Sequence, residues 1–180
     1  VKGFFFTELL DMVEEQFSYE LVDSLLVTTD LPSGGSYTAA GFYPSQEMAL
    51  LVGNLSQRLQ QPIPDVYRMF GRHLFRSFLA HYQPFIQIAP DVFSFLESIN
   101  DYVHVEVKKL YPEVEMPRFS TTRLDGQRLK MIYQSTRKMG DLAYGLIDGA
   151  LAHYGEQAII HQRCLTADGS QVEFLIEKQC

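Results

Sequence analysis

The chain has 180 residues, 46% of them hydrophobic, with a formal net charge of −7 and a pI near 5.2. That is enough apolar material to bury a core, and a single domain over residues 1–180 is expected. The acidic balance argues against nucleic acid as main partner, since phosphate binding needs a basic surface, and no apolar run approaches the roughly 20 residues that cross a bilayer.

The first two thirds of the chain has a helical period. The opening Val1-Lys2-Gly3-Phe4-Phe5-Phe6 is too short for a signal-peptide core and soon meets Glu8, Asp11, Glu14 and Glu15, so a cytoplasmic location is expected. Phe5, Leu9, Met12 and Val13 recur at steps of three and four, and Leu21, Val22, Leu25 and Leu26 continue the pattern after Ser18. Thr28 to Tyr43 holds Pro32 and Gly34-Gly35 and is predicted to be a loop. Ser45 is placed as the cap of a helix that runs to about Gln60, ended by the Pro62-Ile63-Pro64 break. Asp65 to Tyr82 forms a helix with a wide apolar face, and Pro84 stops it. A further helix begins after Pro90 and extends through Phe93, Leu96, Ile99, Val103, Val107 and Leu110 to Pro112.

The period then changes. Arg118–Thr122 and Arg128–Gln134 are predicted strands joined across Leu124-Asp125-Gly126-Gln127, where Asp-Gly signals a hairpin. Lys138 to Tyr154 is helical, and Gln157–Leu165 with Gln171–Lys178 forms a second hairpin about Ala167-Asp168-Gly169-Ser170. The class is therefore α+β: a helical N-terminal part, then a four-stranded antiparallel sheet with one helix between its hairpins.

Most chemistry-bearing patterns are absent. Asp148 and His153 stand five apart with no nucleophile elbow beside them, and there is no phosphate-binding glycine loop. Cys164 and Cys180 make no disulfide framework. His161 and Cys164 have metal-compatible spacing, but structural zinc normally takes four ligands and only two are offered. Two segments remain: His104-Val105-Glu106-Val107-Lys108-Lys109-Leu110-Tyr111-Pro112 and, about twenty residues on, Tyr133-Gln134-Ser135-Thr136-Arg137. His104 shares a helical face with Leu96, Val107 and Tyr111, so its ring can point inward. On its own it reads as a packed core histidine. Tyr133, Ser135 and Arg137 alternate, which on a strand puts them on one face. Two hydroxyls and a guanidinium suit a group with two carboxylates, and an imidazole with a dicarboxylate clamp is the set that haem requires.

These segments, with Met116-Pro117-Arg118-Phe119, resemble the haem nitric oxide/oxygen binding (H-NOX) domain, the sensor module related to the haem domain of soluble guanylate cyclase. The likeness runs over essentially the whole chain, though Val1 stands where family members begin with Met. It implies haem b held between helices and sheet, His104 as proximal iron ligand, a propionate clamp of Tyr133, Ser135 and Arg137, and Pro117 and Phe5 against the macrocycle. Oxygen-binding relatives carry a distal tyrosine five residues past the clamp arginine. Here that position is Leu142, and its supporting neighbours Leu9 and Leu74 are apolar, as are Leu146 and Phe78. The resemblance then implies a sensor binding nitric oxide and carbon monoxide without stable oxygen binding, signalling as a stand-alone protein to a histidine kinase or a cyclic-di-GMP enzyme. The alternatives are a haem enzyme or oxygen-binding protein using Tyr144 or His73 as distal group, and a haem-free interaction module. Tyr144 lies about 200° around a regular helix from Leu142 and is expected to face away.

Overall fold

The computed structural model describes residues 1–87 and 89–180, with the backbone alone for Phe85 and Ile86. The helices α1 (Gly3–Gln16), α2 (Tyr19–Thr28), α3 (Ser45–Leu59) and α4 (Ile63–His81) build the N-terminal part. The Ser18 side chain caps α2 by accepting the Leu21 amide at 3.1 Å. Ser45 is the first residue of α3, not its cap; Pro44 holds the cap position. Pro64 sits in the first turn of α4, where its missing N–H costs nothing. The expected break at Pro62-Ile63-Pro64 is thus the start of the helix, two residues earlier than the sequence suggests.

Downstream, the sequence overestimates continuity. A short α5 (Gln83–Gln87) follows where a stop at Pro84 is expected, with that proline in its first turn. The single helix expected between Pro90 and Pro112 is three pieces: α6 (Val92–Glu97), a π-helical turn (Ile99–Val103) and α7 (His104–Leu110). Asp91 caps α6 through the Ser94 amide at 2.9 Å. The hairpins follow expectation closely: β1 (Arg118–Arg123) with β2 (Arg128–Gln134), then α8 (Gly140–His153), then β3 (Ala158–Cys164) with β4 (Gln171–Lys178). Asp125 and Asp168 brace the two turns by accepting the Gln127 and Ser170 amides. The sheet is antiparallel throughout, in the order β1-β2-β4-β3.

Two cores result. Leu129 and Met131 of β2 and Phe174 and Ile176 of β4 pack with Phe93, Leu96 and the α8 residues Ala143, Ile147 and Ala150. The other core joins Phe6, Leu9 and Met12 of α1 to Leu51 and Leu55 of α3 and Phe70 and Leu74 of α4. Buried Glu47 secures the long loop over this second core, accepting the Ser33 amide and hydroxyl at 2.7 Å each and the Tyr37 hydroxyl at 2.6 Å. The close packing of α4 on α8 joins the two cores. Among the described residues no helix is long and apolar enough to cross a membrane.

Candidate functional site

Between the helical part and the sheet lies a cavity of about 560 Å³, within the usual range for cofactor sites. Its walls come from α1, α4, the π-helical turn, α7, β2 and α8. His104, Pro117, Tyr133, Ser135, Arg137, Phe5, Phe78, Leu142 and Leu146 all line it. Leu9 and Leu74 do not: both are fully buried one layer behind, in the helical core with Leu142. As neighbours of Leu142 they stand behind the wall, not in it. On α1 and α4 the apolar face is wide enough to feed both core and cavity, and periodicity does not say which residue does which.

His104 is the first residue of α7, half-buried, with its ring 6.0 Å from that of Phe119. Burial pulls its pKa down to about 4, against the opposing pull of a hydrogen bond to the Pro117 backbone. The imidazole is therefore neutral at physiological pH. One ring nitrogen donates to the Pro117 carbonyl, and the other keeps its lone pair for a metal. Pro117 thus orients the ring as well as lining the cavity, a role that its place in the sequence does not signal.

Only Tyr133 of the clamp lies in a strand; Ser135 and Arg137 occupy the turn into α8. The alternation nonetheless persists through the turn, with Gln134, Thr136 and Lys138 exposed between them. The Tyr133 hydroxyl accepts the Met139 amide at 3.0 Å, which leaves its own proton to donate. Ser135 is fixed at its amide by the Ser170 carbonyl, and its hydroxyl accepts the Arg137 amide at 3.1 Å. The Arg137 guanidinium stands 3.9 Å from a Glu115 carboxylate oxygen, at the cavity rim. Lys138 takes a left-handed conformation, φ +56°, and turns the chain into the helix.

Neither alternative distal group reaches the wall. The Tyr144 ring packs against Phe174 and lies under the Arg68 guanidinium at 3.9 Å, facing away as its helical position requires. Buried His73 places its Nε2 3.1 Å from Glu8. Further lining residues escaped the sequence reading, Tyr67 and Phe75 among them. Tyr67 shares the α4 stripe 67, 70, 74 and 78, but Leu74 of that stripe lies behind the wall, so the stripe alone does not place Tyr67 at the cavity. Burial, then the nearby Asp141 carboxylate, raises its phenol above the usual range. Elsewhere, His161 bonds Glu177 at 3.0 Å and both cysteines are exposed. Among the described residues no three His, Cys, Asp or Glu side chains gather to hold a metal ion.

The cavity passes a direct test of fit to haem. It is lined chiefly by hydrocarbon and aromatic groups, with the neutral His104 imidazole among them and the Arg137 guanidinium and the Tyr133 and Ser135 hydroxyls supplied by one short segment. The family described as haem-NO-binding matches residues 2–162. No curated protein matches the chain. Among solved structures, the chain is similar to the Fe(II) unliganded H-NOX protein from K. algicida, at 35% identity over 100% of this chain and 97% of that one, with a TM-score of 0.92. It is similar to an H-NOX protein from S. oneidensis in the Fe(II)NO state, at 30% identity over the whole of both chains and a TM-score of 0.90. It also resembles the H-NOX of Shewanella woodyi in the Fe(II)CO state, at 35% identity over 99% and 95% of the two chains, TM-score 0.82.

Proposed function

Because the chain belongs to the haem-NO-binding (H-NOX) family, we propose that residues 1–180 form one haem b-based sensor of nitric oxide, with His104 as iron ligand. The observation that carries the reading is the convergence of His104, Tyr133, Ser135 and Arg137 on one apolar cavity, from segments almost thirty residues apart in sequence. Haem, when bound, supplies a ferrous iron with a coordination position for a diatomic gas, and two propionates. His104 gives the iron a neutral nitrogen lone pair. Arg137 anchors the propionates through charge-assisted bonds, and the Tyr133 and Ser135 hydroxyls add neutral ones. Pro117 and Phe5 would pack against the macrocycle of the bound group, while Phe78, Leu142 and Leu146 would keep water away from the gas side.

Ligand choice follows from the absence of a donor at Leu142. A hydrogen-bond donor in the wall would favour oxygen on a ferrous haem, whereas nitric oxide and carbon monoxide would need none. Leu142 supplies no donor, and Tyr144 and His73 are engaged elsewhere. The S. oneidensis relative in its Fe(II)NO state supports nitric oxide as the ligand. The chain acts as a cytoplasmic sensor, not an enzyme. Its signal passes to a separate histidine kinase or cyclic-di-GMP enzyme that binds the two arrangements of the helical part unequally.

An absorption spectrum of purified, reduced protein tests the reading. We expect a Soret band that moves on adding nitric oxide or carbon monoxide. In His104→Gly the ferrous spectrum should be lost and partly restored by added imidazole. A protein that takes up no haem would instead be an interaction module. An unchanged ferrous spectrum in His104→Gly would assign the iron to another ligand.

A further inference from the structure

His104 opens α7 directly behind the π-helical turn, and its own amide closes that turn by bonding the Ile99 carbonyl five residues back. Asn100, the second residue of the turn, reaches across to the outer edge of β1. Its side-chain oxygen accepts the Phe119 amide at 3.0 Å, and its side-chain nitrogen donates to the Phe119 carbonyl. One primary amide thus serves both backbone groups of one residue, as a neighbouring strand would. β1 is an edge strand, and Phe119 faces Tyr133 across it with its backbone groups turned outward. Edge groups of this kind are otherwise left to solvent. The Phe119 ring in turn lies 6.0 Å from the His104 ring and 5.6 Å from the Tyr133 ring.

We propose that Asn100 is the positioning residue of the iron-ligand helix: its paired bonds to Phe119 hold the π-helical turn on the sheet edge, and so set where the His104 imidazole stands and how strained its bond to iron is. The inference rests on the haem reading above. π-Helical turns are rare and gather at functional sites, since the added residue re-aims every side chain that follows. Such a turn fixes a direction only if it is held, and here the hold comes from outside the helix. The residue type is demanding. Asp keeps the acceptor but sets a carboxylate against the Phe119 carbonyl, and Ala has neither group. A second tie, from Arg123 to Glu97, fastens α6 to the far end of β1 and ends seven residues before His104. It provides a control with a structural role alone.

The experiment compares haem-loaded wild type with Asn100→Asp, Asn100→Ala and Arg123→Ala. The readouts are melting temperature, the iron–histidine stretching band in resonance Raman, and amide exchange in the haem-free wild type. We expect both Asn100 variants to shift or broaden the stretching band, and Arg123→Ala to lower the melting temperature with the band in place. In the wild type, the Phe119 amide should exchange at least about tenfold more slowly than the Thr121 amide, which faces the same edge two residues on. An unmoved band in the Asn100 variants, or an equal shift in Arg123→Ala, reduces Asn100 to a structural tie and overturns the proposal. If neither Asn100 variant folds, wild-type exchange decides it, and equal rates at Phe119 and Thr121 overturn it. A wild type with no Soret band fails the haem reading and takes the proposal with it. A normal Soret band with unmoved stretching bands fails the proposal alone.

Discussion

Gly71 of α4 and Gly145 of α8 meet where the two helices cross: a Cβ on Gly145 would stand 2.8 Å from the Gly71 Cα and 2.2 Å from the Arg68 carbonyl oxygen. Neither neighbour is a flexible side chain, so the backbones themselves must separate to admit a methyl group. Gly145→Ala is therefore expected to cost about 1–3 kcal/mol, as overpacking does, and to lower the melting temperature by roughly 2–12 °C for a domain of this length. Because α8 also carries Leu142 and Leu146, carbon monoxide release should change with it. Scanning calorimetry and flash photolysis measure the two effects. A melt within a degree of wild type would mean that the crossing has slack.

The clamp predicts an order of haem retention. A hydrogen bond to a charged group contributes about 1.5–3 kcal/mol and a neutral one about 1 kcal/mol. Haem transfer to an apo-acceptor should accordingly run about 10- to 100-fold faster in Arg137→Ala, and only about fivefold faster in Ser135→Ala. Part of the serine effect comes through the arginine, since the Ser135 hydroxyl holds the Arg137 amide. Identical transfer rates in wild type and both variants would remove the clamp.

Ligand selectivity is the third outcome to check. Reduced protein should bind nitric oxide and carbon monoxide and form no stable oxygen complex in air, because Leu142 leaves that part of the wall without a donor. Leu142→Tyr supplies a hydroxyl; one bond to a polarised oxygen, at about 1–3 kcal/mol, raises affinity roughly 5- to 100-fold. Stopped-flow mixing with oxygenated buffer follows both proteins. A stable oxygen complex in the wild type would contradict the selectivity and direct attention to Tyr67, a phenol that does touch the cavity. Tyr67→Phe would then abolish that complex.

Glu47 predicts a pH dependence of stability. Burial works to raise its pKa, but the hydrogen bonds from Tyr37 and Ser33 outweigh it, and the folded value lies below the ordinary 4.5. A depressed carboxylate contributes stability that is fully present above the unfolded value and lost as pH falls through the folded one. Glu47→Gln should thus cost about 1.5–3 kcal/mol at pH 7, or roughly 3–12 °C in melting temperature. The gap between variant and wild type should narrow as pH falls below the ordinary carboxylate value of 4.5. Thermal melts at pH 7 and pH 3 decide it; a gap independent of pH would deny Glu47 its charge in the folded state.

Local signals served the second half of the chain well. Asp125-Gly126 and Asp168-Gly169 mark both hairpins, and their aspartates brace the turns as short-range chemistry requires. They failed between Pro90 and Pro112, where apolar residues at steps of three and four read as one helix. A helix-period pattern does not reveal a π-helical insertion, since the bonds that hold it come from Phe119, nearly twenty residues away in sequence. The same limit applies to Leu9 and Leu74: a stripe says that a side chain is buried, not whether another side chain or a cavity lies beyond it.

By itself the sequence determined the α+β order of elements, the two hairpins, and the presence of one histidine and one Tyr-x-Ser-x-Arg set at a spacing that resembles the H-NOX family. These follow from periodicity and turn chemistry, which act over a few residues. Tertiary structure alone decided that His104 is kept neutral by burial and oriented by the Pro117 carbonyl, that Tyr144 turns to Phe174 and Arg68, and that Tyr67 reaches the cavity. Each depends on which distant segments close around the side chain, and so on desolvation and contacts that no local window contains.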